Sequence, residues 1–370
     1  MAEVVVAGTS PLLLLEAAAH ARAGRSVTVH TNGAPFGGAW WVDDIAGFTN
    51  VETACHLLEA DTIGYEVLES VPGVVMEPMV PTPMVQIGED RRLRYGSAAA
   101  VAAVAAIGVP AIARTAWTTG RSAGAVAGAQ AAQRSAHTRL RQGRHDLQAR
   151  GATVHYPRGG ASVLLDRLRS LVEAEGADLV DTGIDGIDVS APRAPVLSYT
   201  DGSSSTPDLV VISGGFGGRI LDSQNVLHAP TEERTHEQVL LLLPSDSLRP
   251  MSYDRFVTDP LLLRASRLDR TAVATNVDHN LTPLIVGTRR AATAAEVIDA
   301  LVGNGILRER VTPAFATSYT HRSRDDAAGL ERAVARTAVQ VVPSFGDLSR
   351  SLRGFAQRHP DWLDQRRAAA

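Results

Sequence analysis

Gly8, Ser10 and Leu13 stand at the spacing of a glycine-rich phosphate turn, within EVVVAGTSPLLLLEAAAHARAGRSVTVHTN, residues 3–32. In such a turn the first glycine makes the bend and the second lets a pyrophosphate approach backbone amides. The third allows helix and strand to pack closely. Only the first glycine is present here. Ser10 takes some of the second glycine's space and offers a hydroxyl to a phosphate, with Thr9 and Pro11 completing the turn. Leu13, at the third position, is expected to push the helix off the strand. Where a carboxylate usually holds a ribose, the chain has Thr31 and Asn32, which hydrogen-bond a hydroxyl less strongly. Taken alone, the stretch is equally a Rossmann-like unit without a ligand.

Other residue types could carry chemistry. Gly37 and Gly38, in PFGGAWW, form a turn whose amides can come close to a ligand. His56 is an acid–base candidate near neutral pH, the alternative being a core or capping histidine. Its neighbour Cys55 is the single cysteine, either a redox thiol or a small buried hydrophobe. Arg158, in YPRGG, could clamp a phosphate or carboxylate, or satisfy loop carbonyls. Tyr253, Arg255 and Arg264 are candidates for holding a polar or anionic substrate, Arg264 because it interrupts an apolar strand.

Composition removes several classes. All 36 basic residues are arginine, so Schiff-base chemistry, a P-loop lysine and pyridoxal phosphate attachment are excluded. One cysteine excludes an internal disulfide and argues against a zinc site. A net charge of −4 argues against nucleic acid as partner. The most apolar stretch, residues 98–113, is broken by Gly108 and Pro110 and reads as a buried helix and turn. No membrane partner or leader segment is expected, and the location expected is cytoplasmic.

These residues need elements to position them. EVVVAG reads as a central parallel strand, Pro11–Ala23 as a helix with Ser10 and Pro11 at its start, and SVTVHT as a second strand. Residues 122–151 read as a long helix with a solvated, charged end, and 201–208 as a surface turn. DPLLLRASRL and TPLIVGTRR read as strands, followed by a helix ending at Gly303 or Gly305.

The spacing from Gly8 to Gly37–Gly38, with YPRGGASVLLDRLRSLVEAEGADLVDTGIDGIDV and TPDLVVISGGF, resembles the FAD-binding two-dinucleotide-domain flavoproteins. The likeness is to the branch of amine oxidases, phytoene desaturases, protoporphyrinogen oxidases and UDP-galactopyranose mutases. It implies an α/β fold: a Rossmann-like FAD/NAD(P)-binding domain and a mixed α+β substrate domain built from inserts. The discontinuous first domain would take 1–60, 155–222 and 335–370, and the inserts 61–154 and 223–334 would form the second. The resemblance implies FAD on the Gly8–Pro11 turn, a backbone contact from Ile184 to adenine, and small residues Ser213 and Gly214 near the cofactor. It also implies a flavin ring near Gly37, Gly38 and Trp40, with Gly346 and Asp347 holding the ribityl end. His56 falls where related flavoproteins bring a residue over the ring.

The function implied is an FAD-dependent oxidoreductase, desaturase, dehydrogenase or mutase-like, acting on a small biosynthetic intermediate. Two alternatives stay open. The turn GTSPLLLLEAA also resembles that of Rab GDP-dissociation inhibitors and escort proteins, which would make the chain a flavin-free binding protein. The other is an NAD(P)-dependent enzyme, against which the second glycine turn argues.

Overall fold

The computed structural model describes residues 1–31, 35–54, 58, 62–87, 91–95, 97–100, 102–104, 154–190, 194–228, 234–269, 271–274, 280–323, 327–342 and 348–364. Asn32, Cys55, His56, Gly346, Asp347 and the expected helix over 122–151 lie outside the described residues.

The architecture is α/β. Valines 4 to 6 are buried on both faces of β1 (Glu3–Ala7), as a continuous apolar run requires at the centre of a parallel sheet. That sheet has five parallel strands in the order β22 (Val339–Val342), β13 (Leu209–Ser213), β1, β2 (Ser26–His30), β9 (Asp178–Val180). Helix α1 (Pro11–Arg22) joins β1 to β2 and is buried from Pro11 through Ala21, the mark of a helix covered on all sides. It packs on β1, β2, β13 and α3 (Gly160–Ala174). Ligands of open parallel sheets gather outside the carboxyl ends of the strands. Here those ends lead into Gly8, Thr31, Asp181 and Gly214.

A second sheet runs β12 (Ser204–Ser205), β11 (Val196–Tyr199), β10 (Ile184–Asp188), β14 (Arg219–Leu221), β15 (Leu227–His228). The expected turn over 201–208 thus contains a short strand at Ser204–Ser205 as well, because these residues pair with Leu197 and Ser198.

The largest sheet has seven strands: β21 (Phe315–Ser323), β16 (Arg234–Pro244), β20 (Leu281–Thr288), β18 (Leu262–Arg267), β17 (Tyr253–Phe256), β6 (Met84–Ile87), β7 (Arg91–Arg94). Only β17 and β6 pair in parallel. Helix α4 (Ala294–Gly303) starts with a capping box between Thr293 and Glu296 and buries Val297, Ile298 and Leu301 in this unit's core. Two small sheets, β19 (Val273–Ala274)–β4 (Phe48–Glu52)–β3 (Val42–Ile45) and β5 (Met76–Pro78)–β8 (His155–Pro157), bring distant segments together.

Helices α2 (Thr62–Glu69) and α6 (Leu348–Arg358) pack on each other, and α6 also reaches α1. A further helix, α5 (Ala327–Ala333), leans on β22. Glu16 of α1 is fully buried, its carboxylate accepting bonds from Gln340, Arg358 and the ring of His359. Among the described residues no helix is long and apolar enough to cross a membrane.

Candidate cofactor and substrate site

The β1–α1 turn is tied to the end of β2 by a backbone bond. Gly8 has φ +115° and donates its N–H to His30 O at 2.7 Å. Leu13 does not push α1 off the sheet. Its δ1 methyl lies 3.1 Å from where a β-carbon on Gly8 would stand, so the glycine at the bend leaves the room that Leu13 fills. The start of α1 is uncapped: Ser10 makes no capping bond, Pro11 has no N–H, and no acidic residue stands in the first turn. Leu14 N–H goes to Ser10 O, and among the described residues the Leu12 and Leu13 amides have no partner and can meet an outside acceptor, where the positive end of the helix dipole favours an anion.

The paired-glycine turn lies directly on this one. Gly37 donates its N–H to Thr9 Oγ1 at 3.0 Å, and a β-carbon on Gly38 would lie 3.6 Å from that of Ser10. Both glycines have positive φ, and a β-carbon on Gly37 would collide with Leu165 of α3 at 2.5 Å. Close approach, not a bend alone, is what requires glycine at position 37. Trp40 follows, buried and stacked on Tyr156 with ring centres 6.3 Å apart.

At the end of β2, Thr31 donates its hydroxyl to Asp181, which follows β9. A carboxylate therefore does stand beside β2, supplied by the neighbouring strand. His30 donates its Nδ1–H to Thr182 O at 3.0 Å and stacks on Tyr199 at 4.9 Å. Burial holds its pKa below the usual histidine value. Ile184 pairs with Tyr199 across β10 and β11 and is buried in the core under β1 and β13. Ser213 ends β13, and Gly214 N–H donates to Val342 O at 2.8 Å.

A cavity of about 360 Å³ opens between β8, the start of α3 and the end of β18. Two ion pairs line it: Arg158 with Glu77 at 2.5 Å, and Arg267 with Asp269 at 2.7 Å. At its buried side is Glu52, the last residue of β4 and 2 % exposed. Tyr156 donates its hydroxyl to Glu52 Oε2 at 2.7 Å, and Ala161 donates its N–H to Oε1 at 3.1 Å. Burial pushes the Glu52 carboxyl up to about 7, against the opposing bonds from Tyr156, Ala161 and Thr271.

Of the expected site residues, the fold brings Gly8, Thr9, Ser10, Pro11, Gly37 and Gly38 into one cluster, and places Trp40 between that cluster and Tyr156. Thr31, Ser213 and Gly214 share the carboxyl edge of the same sheet. Arg158 reaches the cavity rim, where Glu77 engages it. Tyr253, Arg255 and Arg264 do not line the cavity. Tyr253 is packed in a core, edge-on to Tyr95 at 6.3 Å, and the Arg264 side chain lies across Gly287 of the next strand. Glu52 and Asp181 were missed by sequence reasoning. A glutamate ending the apolar alternation FTNVE was the only local signal for the first.

No protein-family model and no curated protein sequence matches the chain. Its fold does match solved structures. Reduced UDP-galactopyranose mutase superposes with a TM-score of 0.63 at 11% identity, over 100% of this chain and 96% of that one. An oxidoreductase from Methanosarcina mazei gives 0.62 at 13% identity, over 96% and 100%. Putrescine oxidase bound to putrescine gives 0.59 at 13% identity, over 98% and 99%. The chain shares its fold with these solved structures.

Proposed function

We propose that the chain is an FAD-dependent oxidoreductase acting on a small molecule. The observation that carries this reading is the uncapped start of α1 beneath the Gly37–Gly38 turn, at the carboxyl edge of a parallel sheet. A buried helix start with free amides and no acidic residue suits a pyrophosphate, whose recognition depends on backbone donors more than on side chains. Ser10 and the first-turn amides would hold that group, Thr31 and Asp181 would hold a ribose, and Gly37, Gly38 and Trp40 would border the ring. When bound, FAD supplies two-electron transfer, and the protein supplies binding, orientation and charge. The cavity beyond Tyr156 would take the substrate, a small biosynthetic intermediate, in a desaturase, dehydrogenase or mutase-like reaction. The substrate layer would come from the inserts 61–154 and 223–334, on a discontinuous dinucleotide-binding domain formed by 1–60, 155–222 and 335–370.

A second reading has its own support. His30 and Tyr199 stack at the nucleotide end, and Gly37 and Gly38 spend their N–H groups on Thr9 and Pro35. A flavin-free binding protein would have the same features. The absorption spectrum of the purified protein separates the two, taken before and after excess FAD and desalting. Retained flavin bands support the enzyme, and a colourless protein that rejects added FAD overturns it.

A further inference from the structure

Three carboxylates line the cavity, and they differ in their partners. Glu77 and Asp269 are each neutralised by an arginine. Glu52, the most buried, has no cation at ion-pair distance among the described residues; its partners are the Tyr156 hydroxyl, the Ala161 amide and the Thr271 side chain. Its place is held by the fold. A β-carbon on Gly160 would meet Thr271 at 2.5 Å and Glu52 Oε1 at 3.1 Å, so the start of α3 closes on this carboxylate only as glycine. Two influences oppose each other there. Burial without a counter-charge favours the neutral acid, while the positive end of α3 and the donated hydrogen bonds favour the anion. Tyr156 joins Glu52 to the cavity, since both residues line it and the phenol donates to the carboxylate.

We propose that Tyr156 and Glu52 form a proton relay for a small ligand of this cavity that carries a hydroxyl or an amine N–H. The ligand's proton passes to the phenol oxygen as the phenol's proton passes to Glu52 Oε2. The ligand is left as its conjugate base, Tyr156 is unchanged, and Glu52 holds the proton; no electrons move. The relay rests on the oxidoreductase reading only for what happens to the deprotonated ligand afterwards. Among the described residues, Arg158, Glu77, Arg267 and Asp269 are the other charged groups facing the cavity, and they pair with one another rather than with Glu52.

Two flavin-free measurements test this. Carbon-13 NMR of labelled glutamate carboxyls is recorded against pH for the wild type, Glu52→Gln and Tyr156→Phe. One wild-type resonance titrating near 7, lost in Glu52→Gln and moved upward in Tyr156→Phe, is expected. Absence of any carboxyl titrating well above the other glutamates overturns the relay. The second measurement is calorimetric titration with 4-nitrophenol near pH 8, where Glu52 is ionised, repeated in buffers of different ionisation enthalpy. Saturable binding is expected to take up about one proton in wild type, held between ligand and Glu52, and close to none in Glu52→Gln or Tyr156→Phe. No saturable binding, or equal proton uptake in wild type and variants, overturns the relay as well. Should Glu52→Gln fail to fold, Tyr156→Phe, which removes only a hydroxyl, carries both tests. A protein that rejects FAD yet passes them keeps the relay and loses the oxidoreductase reading.

Discussion

Gly8 and Leu13 share one space: the leucine's δ1 methyl stands 3.1 Å from the position a β-carbon on Gly8 would take. A helix that carries leucine where close packing usually needs glycine stays on its sheet because the residue facing it has no side chain. Gly8→Ala should then destabilise the fold by about 2–4 kcal/mol, through the collision and through φ +115°. Adding Leu13→Ala should recover the part due to collision, which a double-mutant cycle in urea isolates. A Gly8→Ala protein as stable as wild type would refute this account of the turn.

Asp181 offers a second test of the cofactor reading. It is exposed and lies beside Thr31, so Asp181→Ala should leave stability within about 0.5 kcal/mol. The same change should weaken FAD binding roughly tenfold, the worth of a charge-assisted hydrogen bond. Flavin fluorescence quenching measures it. Equal affinity in the two proteins would show that no ribose is held there.

Glu16 ties α1 to α6 and β22 through Arg358, His359 and Gln340, with no solvent access. Replacing it with glutamine leaves Arg358 without its counter-charge in a half-buried site. A loss of about 3 kcal/mol is expected, by urea unfolding. A change below about 1 kcal/mol would mean that the network relaxes or that water reaches it.

His20, one helical turn along, makes stability depend on acid. It is 6 % exposed, its Nε2 has no hydrogen-bond partner among the described residues, and burial lowers its pKa from 6.5 to about 4. Because the folded pKa is the lower one, the unfolded chain takes up the proton first as pH falls. Stability should therefore drop between about pH 6.5 and 4, by a total on the order of 3 kcal/mol. His20→Gln should flatten that limb of a melting-temperature profile, and an unchanged slope would exclude His20 as its source.

Glu52 works in the opposite direction. Its folded pKa, about 7, is raised from the model-peptide value of 4.5, so the native state keeps a proton that the unfolded chain has lost. Its contribution is fully present below about pH 4.5 and is lost as pH rises through 7. Glu52→Gln should accordingly gain stability relative to wild type between pH 5 and about 8, read from paired thermal melts. A constant difference across that range would count against a titrating Glu52.

Local chemistry made some of this legible before any fold was known. The valine run of β1, the proline and serine opening α1, and the Thr293–Glu296 box each act within a few residues, so their consequences follow from neighbours in the chain. Arg158 was legible as a charged group in a glycine turn, though not its engagement with Glu77, a residue from another strand. Tyr253, a substrate candidate by residue type, is packed in a core. Strand alternation alone does not say which face meets a core and which meets a cavity.

By itself, then, the sequence determined the elements around the phosphate turn, their order, and the exclusion of lysine chemistry. Only the tertiary structure decided what surrounds them. It set Leu13 over Gly8, placed Asp181 where β2 lacks an acid, and enclosed Glu52 with Tyr156 at the start of α3. Each of these pairs residues distant in the chain or fixes how two elements pack. Charge and burial at such positions come from neighbours that no local pattern specifies.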